Sequence, residues 1–351
     1  MQRLTHSDRI KGFRLFALAA VMAACAVAGN AAADPIPLKL ATFGPPQSFF
    51  YVEVIIPWME AVNRDAGGAV EIKYYGGSVI GNAGNMYDAV LSGAADIGWA
   101  LQGVTASKFV KSSIVELPFG YTTGESGAVA FWRLYQKGLI ASDYDAVKLF
   151  GVTAWPAAAV QTRSRAVAKL EDLKGMKLRV SGKLQADTVL ALGATPVNIP
   201  VDEIYQSIER GVIDGAWASL TGTREFRLFE ICKYFLDIPL NGAGAMLIMK
   251  RETFDKLPQA ARDAFEKNSG EALSRALGKS NDGEVGRVKT LLAGLAKDGK
   301  VEPLHALVPD ELARWQKAAE PVAAAWAQRV PNGPAILDGF RAEVAAARNG
   351  G

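Results

Sequence analysis

Apolar positions along the chain fall into short strand-like runs separated by stretches of helical period. Leu38-Lys39-Leu40 opens the first run, Val70–Tyr75 alternates apolar and polar, and Ile97–Leu101 is a short apolar run, each reading as a strand. Between the first two, Phe49–Ala66 has helical spacing and ends at Gly67-Gly68, with Pro57 either kinking the helix or opening its second half. Lys148–Thr162 and Lys233–Lys250 are extended, with little to turn the chain. Thr253–Ala323 keeps a helical period throughout, broken at Gly299 and Pro303, and an Ala-rich helix closes the chain after Val330.

One pattern occurs twice. Residues 87–100 read YDAVLSGAADIGWA and residues 205–218 read YQSIERGVIDGAWA, so Tyr87, Gly93, Asp96, Trp99 and Ala100 match Tyr205, Gly211, Asp214, Trp217 and Ala218. Each copy is an amphipathic helix ended by glycine, a tight turn with Asp, and a short strand carrying tryptophan. Leu38-Lys39-Leu40 and Met176-Lys177-Leu178 likewise open similar halves, followed by loops with Gly44 and Gly182. The predicted fold class is therefore α/β, with two lobes, each a mostly parallel sheet flanked by helices. The two extended stretches are the crossings between them. The first lobe takes residues 34–154 and about 241–285, and the second takes residues 155–240 and about 286–351. Loops at the carboxyl ends of the strands face a cleft, where such sheets bind ligands.

The N-terminus changes how the composition is read. Arg3, Arg9, Lys11 and Arg14 precede the apolar run Leu15–Val27, and Ala31-Ala32-Ala33 stands before Asp34, the order of an export signal over residues 1–33. Cys25, after Met22-Ala23-Ala24, leaves lipoprotein processing as an alternative. The signal carries a net +3, equal to the formal +3 of the whole chain, so the remainder is neutral and has no basic surface suited to nucleic acid. Outside the signal there is one cysteine, Cys232, in an apolar setting that suits a structural thiol, and one histidine, His305, in a polar stretch read as helical. HExxH, CxxC and phosphate-loop patterns are absent, and nothing in the residues requires a metal or cofactor. A lysine- or carboxylate-based enzyme on such a scaffold stays open as an alternative.

KLATFGPP, AGGAVEIKYYGGSVIG, AVLSGAADIG, ELPFGY, KLEDLKGMKLRVSG, ALGATPVNIPVDEIYQSIERGVIDGA and KRETFDKLP occur in that order over residues 36–280. As a set they resemble the DctP-type solute receptors of tripartite ATP-independent periplasmic (TRAP) transporters. The resemblance implies a type II-like periplasmic-binding-protein fold whose lobes are joined by crossing strands and a long helix. It further implies a non-enzymatic periplasmic receptor that captures an organic acid and delivers it to a small and a large membrane subunit. A shuttle that presents both lobes to a membrane partner is expected to be a monomer, with a dimer through the long C-terminal helices as the alternative. Partnership with a membrane sensor is an alternative. Within Lys177-Leu178-Arg179-Val180, the resemblance gives Arg179 the ligand's carboxylate. Two departures stand out: Ala218 replaces an Asn common in the family, and Ala157-Ala158-Ala159 replaces a Gly-Phe-Arg. With those polar partners missing and tryptophans nearby, a monocarboxylate with an apolar or aromatic body is expected.

Arg179 also has a physical argument, because an arginine at the loop end of a buried strand needs a partner, either a bound carboxylate or an acid of the chain. Trp217, where many relatives carry a charged or polar residue, is expected in the pocket, and Trp99 is its repeat partner. Phe43 in the first strand–helix loop, Trp155 on the crossing, Phe119 in the Leu117-Pro118-Phe119 turn and Gln102 after the first repeat's strand complete the ligand-binding candidates. Arg163 and Arg165 read as solvated charges. Asp96 and Asp214 read as turn-forming rather than catalytic.

Overall fold

The computed structural model describes residues 34–105, 107–155, 158–240 and 242–349, so the export signal, Cys25 and Ala157 lie outside it. In the first lobe, β1 (Ile36–Ala41), α1 (Ile56–Asp65), β2 (Val70–Tyr75), α2 (Met86–Ser92) and β3 (Ile97–Leu101) form a parallel three-stranded unit. Then come α3 (Gly124–Gln136) and β4 (Val147–Ala154), and the chain crosses at Trp155. In the second lobe β5 (Ala158–Thr162) is followed by β6 (Lys177–Val180), α4 (Lys183–Ala191), β7 (Thr195–Asn198), α5 (Ile204–Glu209) and β8 (Gly215–Ser219). The short helix α6 (Thr221–Glu225) and β9 (Tyr234–Leu240) lead to the return crossing. β10 (Gly244–Lys250), α7 (Arg251–Asp255), α8 (Gln259–Asn268), α9 (Glu271–Lys297), β11 (His305–Ala306), α10 (Pro309–Arg329) and α11 (Gly333–Arg348) complete the chain.

The strand order is β2-β1-β3-β10-β4 in the first sheet and β11-β9-β5-β8-β6-β7 in the second. Each sheet is mixed, and for the same reason. A parallel βαβαβ unit is flanked by a crossing strand, β10 or β5, that runs antiparallel to both neighbours. The first sheet is thus completed only by β10, which returns after the strands β5 to β9 of the second. The α/β two-lobed fold is as the sequence predicts.

The repeat has a direct physical counterpart. Asp96 Oδ2 accepts the Lys39 N–H at 2.7 Å, and Asp214 Oδ2 accepts the Lys177 N–H at 2.7 Å. The backbone N–H of each aspartate donates to the same lysine's carbonyl, at 3.0 Å and 2.9 Å. In both lobes the turn is therefore pinned to the neighbouring strand, at mid-strand in β1 and at the first residue of β6. The helices before it end at Gly93 and Gly211, at φ +81° and +71°, where a Cβ would be strained.

Helix α9 belongs to both lobes: Leu273 and Leu277 sit in the first lobe's core, and Val288 and Leu292 in the second's. Helix α10 does the same in reverse, with Trp315 and Ala319 in the second lobe and Val322 and Trp326 in the first. Helix α11 then packs Ile336, Phe340 and Val344 into the first lobe's core. This corrects the assignment of everything after about residue 286 to the second lobe, because a helix apolar on one face goes to whichever core accepts that face. His305 is also corrected. It lies on the exposed two-residue strand β11, which extends the second sheet beside β9, and not on a helix.

Candidate functional site

A cavity of about 630 Å³, including its mouth, lies where the two sheets face each other. The first lobe contributes Phe43, Phe50 and Leu101 to its wall, and the crossings contribute Trp155, Gly242 and Ala243. The second lobe supplies Arg179, Ser181, Gln185, Ala218, Ser219, Glu225 and Phe226, among others. The size is that of a small-molecule site with mostly apolar walls and few polar groups.

Arg179 is the charged group at its centre. It is 4% exposed, and its Nε–H donates to the Ile199 carbonyl at 2.8 Å, which fixes the plane of the guanidinium. Among the described residues that is the only hydrogen bond of the side chain, and no carboxylate lies within ion-pair distance of it. Burial lowers its pKa to about 10, with the Asp202 charge acting in the opposite direction, so it remains a cation at neutral pH. Strand geometry explains its position. Leu178 and Val180 point into the core with Trp217, whereas Arg179 lies on the opposite face, level with Ala216.

One further donor group, the Gln185 amide, lines the same cavity. Ser181 N–H and Oγ–H both donate to Gln185 Oε1 at 2.9 Å, which orients the Gln185 amide and leaves its NH₂ group without a partner among the described residues. Gln185 is buried and lines the same cavity. A fork of unpaired N–H groups, an adjacent amide and apolar walls can hold one carboxylate and an apolar body.

Of the sequence-predicted residues, the structure brings Arg179, Phe43 and Trp155 together around the cavity. Four others lie elsewhere. Trp217 is 1% exposed and packs in the second lobe's core, because side chains alternate along β8 and its neighbour Ala218 takes the cavity side. Trp99 is fully buried behind the wall, with ring centroids 5.3 Å from Phe50 and 6.2 Å from Trp155. Gln102 turns inward, its Nε2–H donating to the Tyr144 hydroxyl at 2.7 Å. Phe119, at φ +60°, packs against the second lobe's core and borders a different groove, with Gln316 and Glu320.

Phe50, Glu225 and Phe226 are cavity residues that the sequence reading passed over. Phe50 was counted as part of an amphipathic helix, and Glu225 lies in the polar run Thr221–Arg227, which reads as surface. Arg163 and Arg165 are tied to backbone carbonyls, of Glu209 and of Asp172 respectively, away from the cavity. Cys232 is a core thiol that burial pushes up to about 12. Among the described residues no group of three or more His, Cys, Asp or Glu could hold a metal ion, and no helix is long and apolar enough to cross a membrane.

Two α/β lobes facing a cavity that holds a buried arginine have the architecture of a two-lobed solute receptor. The chain belongs to the DctP family, the bacterial extracellular solute-binding proteins of family 7, whose model matches residues 40–329. It is 25% identical over 344 residues to the outer membrane transporter protein TsaT of Comamonas testosteroni, covering 95% of this chain and 99% of that one. A TRAP solute-binding protein from Rhodoferax ferrireducens, solved with copurified benzoate, superposes with a TM-score of 0.83 at 25% identity, over 90% of this chain and 99% of that one. Another from Bordetella bronchiseptica, with bound (R)- and (S)-mandelate, gives 0.81 at 27% identity, over 89% and 99%.

Proposed function

We propose that this protein is a periplasmic receptor that captures a small monocarboxylate with an apolar or aromatic body and hands it, as a monomer and without chemical change, to the small and large subunits of a TRAP transporter. One observation carries the reading: a buried, cationic Arg179 that faces the cavity, with no carboxylate among the described residues within ion-pair distance of it. Leaving such a charge unpaired costs free energy that a bound carboxylate recovers. Aromatic walls at Phe43, Phe50, Trp155 and Phe226, with Ala218 where an amide is common in relatives, favour an apolar remainder over a sugar acid or a second carboxylate. The benzoate and mandelate held by the Rhodoferax and Bordetella proteins are acids of this class.

Contacts between the lobes support capture by closure. Ser48 Oγ–H donates to Glu225 at 2.6 Å across the cleft, and the Gly182 backbone lies against Gly103. A ligand bridging both lobes favours this closed arrangement over an open one.

The test is a thermal-shift screen of the purified protein against benzoate, mandelate, succinate, glucuronate, neutral sugars and cations, followed by calorimetry on whatever stabilises it. Saturation at about 100 times Kd is worth about 2.7 kcal/mol. Aromatic monocarboxylates are expected to give the largest shifts, with substrate recovered unchanged. Stabilisation by neutral sugars or cations, and none by any carboxylate, would sink the reading.

A further inference from the structure

The cavity holds a titratable group that carboxylate capture at Arg179 leaves unused. Glu225 ends α6 and lines the wall. Its Oε1 accepts the Ser48 hydroxyl at 2.6 Å, while Oε2 has no hydrogen-bond partner among the described residues. Arg224, next to it in sequence, turns away and forms a bidentate pair with Glu284 of α9. From the first lobe the Tyr51 hydroxyl, held by the Gly44 N–H, stands close by, and Arg179 faces the same cavity without reaching ion-pair distance. Burial pushes the Glu225 carboxyl up to about 7; the Ser48 hydrogen bond opposes this, the Glu284 charge adds to it and Arg224 opposes it.

We propose that Glu225 is a specificity-determining residue of this cavity, whose free oxygen hydrogen-bonds a hydroxyl group on the body of the carboxylate that Arg179 anchors. The proposal rests on the carboxylate reading of Arg179. A hydroxyl is the partner that suits this oxygen in either protonation state, donating to the carboxylate or accepting from the acid. A second ligand carboxylate would be repelled by the ionised form. A ligand ammonium would bring a second charge to be desolvated among aromatic walls. Without a partner, an apolar ligand closing over Glu225 would strand a buried polar oxygen, and that penalty is what makes the site discriminate.

Calorimetric titration with benzoate and with 2-, 3- and 4-hydroxybenzoate tests this in the wild type, Glu225→Ala, Glu225→Gln and Ser48→Ala. One hydroxybenzoate is expected to bind the wild type about tenfold tighter than benzoate, as one well-made hydrogen bond to a buried polar group implies. Glu225→Ala brings that ratio to about one, and Glu225→Gln, whose amide still bonds a hydroxyl, keeps most of it. Ser48→Ala breaks the contact between the lobes but leaves the carboxyl, so it weakens all four acids while preserving the ratio. If Glu225→Ala fails to fold, Glu225→Met, apolar and of similar length, takes its place with the same expectation. A ratio that survives Glu225→Ala or Glu225→Met, or the absence of any hydroxybenzoate preference in the wild type, overturns the proposal. Loss of all four acids in Arg179→Ala alongside an unchanged ratio in Glu225→Ala separates the two readings: the anchor stands and the proposal about Glu225 falls. If no acid binds the wild type, both fall.

Discussion

Arg224 and Glu284 meet through two charge-assisted hydrogen bonds of 2.6 Å each, tying α6 of the second lobe to the helix that runs through both. Arg287 adds a third to the same carboxylate at 2.6 Å and reaches Glu53 of the first lobe at 2.8 Å. Glu284 is 1% exposed, so its charge is tolerated only through these partners. Glu284→Gln keeps the volume and removes the charge. It is expected to lower stability by roughly 1.5–3 kcal/mol, the value of hydrogen bonds to charged groups, in urea denaturation of the ligand-free protein.

Arg179 yields two expectations of opposite sign. Arg179→Ala should weaken binding of an aromatic monocarboxylate by about 2–5 kcal/mol, read by calorimetry. Arg179→Met should weaken binding to the same extent, yet raise the melting temperature of the empty protein, because it removes a buried charge with no carboxylate among the described residues within ion-pair distance. An empty protein destabilised by Arg179→Met would mean that the guanidinium has a structural task.

Glycines of the spanning helix separate packing from propensity. A Cβ on Gly278 would lie 2.5 Å from the Gly124 carbonyl oxygen and 2.7 Å from the Glu125 nitrogen, backbone that cannot move without disturbing the α3 N-terminus capped by Asp282. Gly278→Ala is expected to destabilise by about 1–3 kcal/mol. Gly286, in the same helix, has nothing within 4 Å, so Gly286→Ala is expected to stabilise by about 0.5–1 kcal/mol. Thermal denaturation of both variants checks the pair.

Glu116 sets a pH dependence. It is 5% exposed, and burial raises its pKa from 4.5 to about 7, with the Gly244 N–H bond opposing. The folded state therefore binds more protons than the unfolded chain between those values, so stability is full below pH 4.5 and declines as pH rises through about 7. The loss is of order 3 kcal/mol at about 1.4 kcal/mol per unit. Glu116→Gln, which does not titrate, should remove this group's share of the slope in denaturation series at pH 4.5 and pH 8.

The fold was legible because it is written twice. Two copies of helix, glycine, aspartate and tryptophan give two equivalent parallel units, and Asp96 and Asp214 perform the same turn-pinning in each. The place of Arg179 at the cavity was legible for a local reason, a charge at the end of a strand between apolar neighbours. What sequence could not resolve was the facing of side chains. Trp217 and Ala218 are adjacent, and only the sheet's orientation decides which meets the cavity. Gln102 was lost to Tyr144, a partner 42 residues away. Glu225 stayed hidden because its burial comes from the opposite lobe, through Ser48, which lies 177 residues earlier.

The late place of β10 in the chain also governs the order of assembly. In the first sheet β3 and β4 never touch, because β10 lies between them and joins them. A growing polypeptide that has reached Ala154 thus has all the early strands but a gap in the middle of its sheet, and the piece that fills it arrives only with Gly244–Lys250. Severing the chain after Ala154 would therefore leave the first sheet without the strand that joins β3 to β4, while every strand of the second sheet lies in the later fragment.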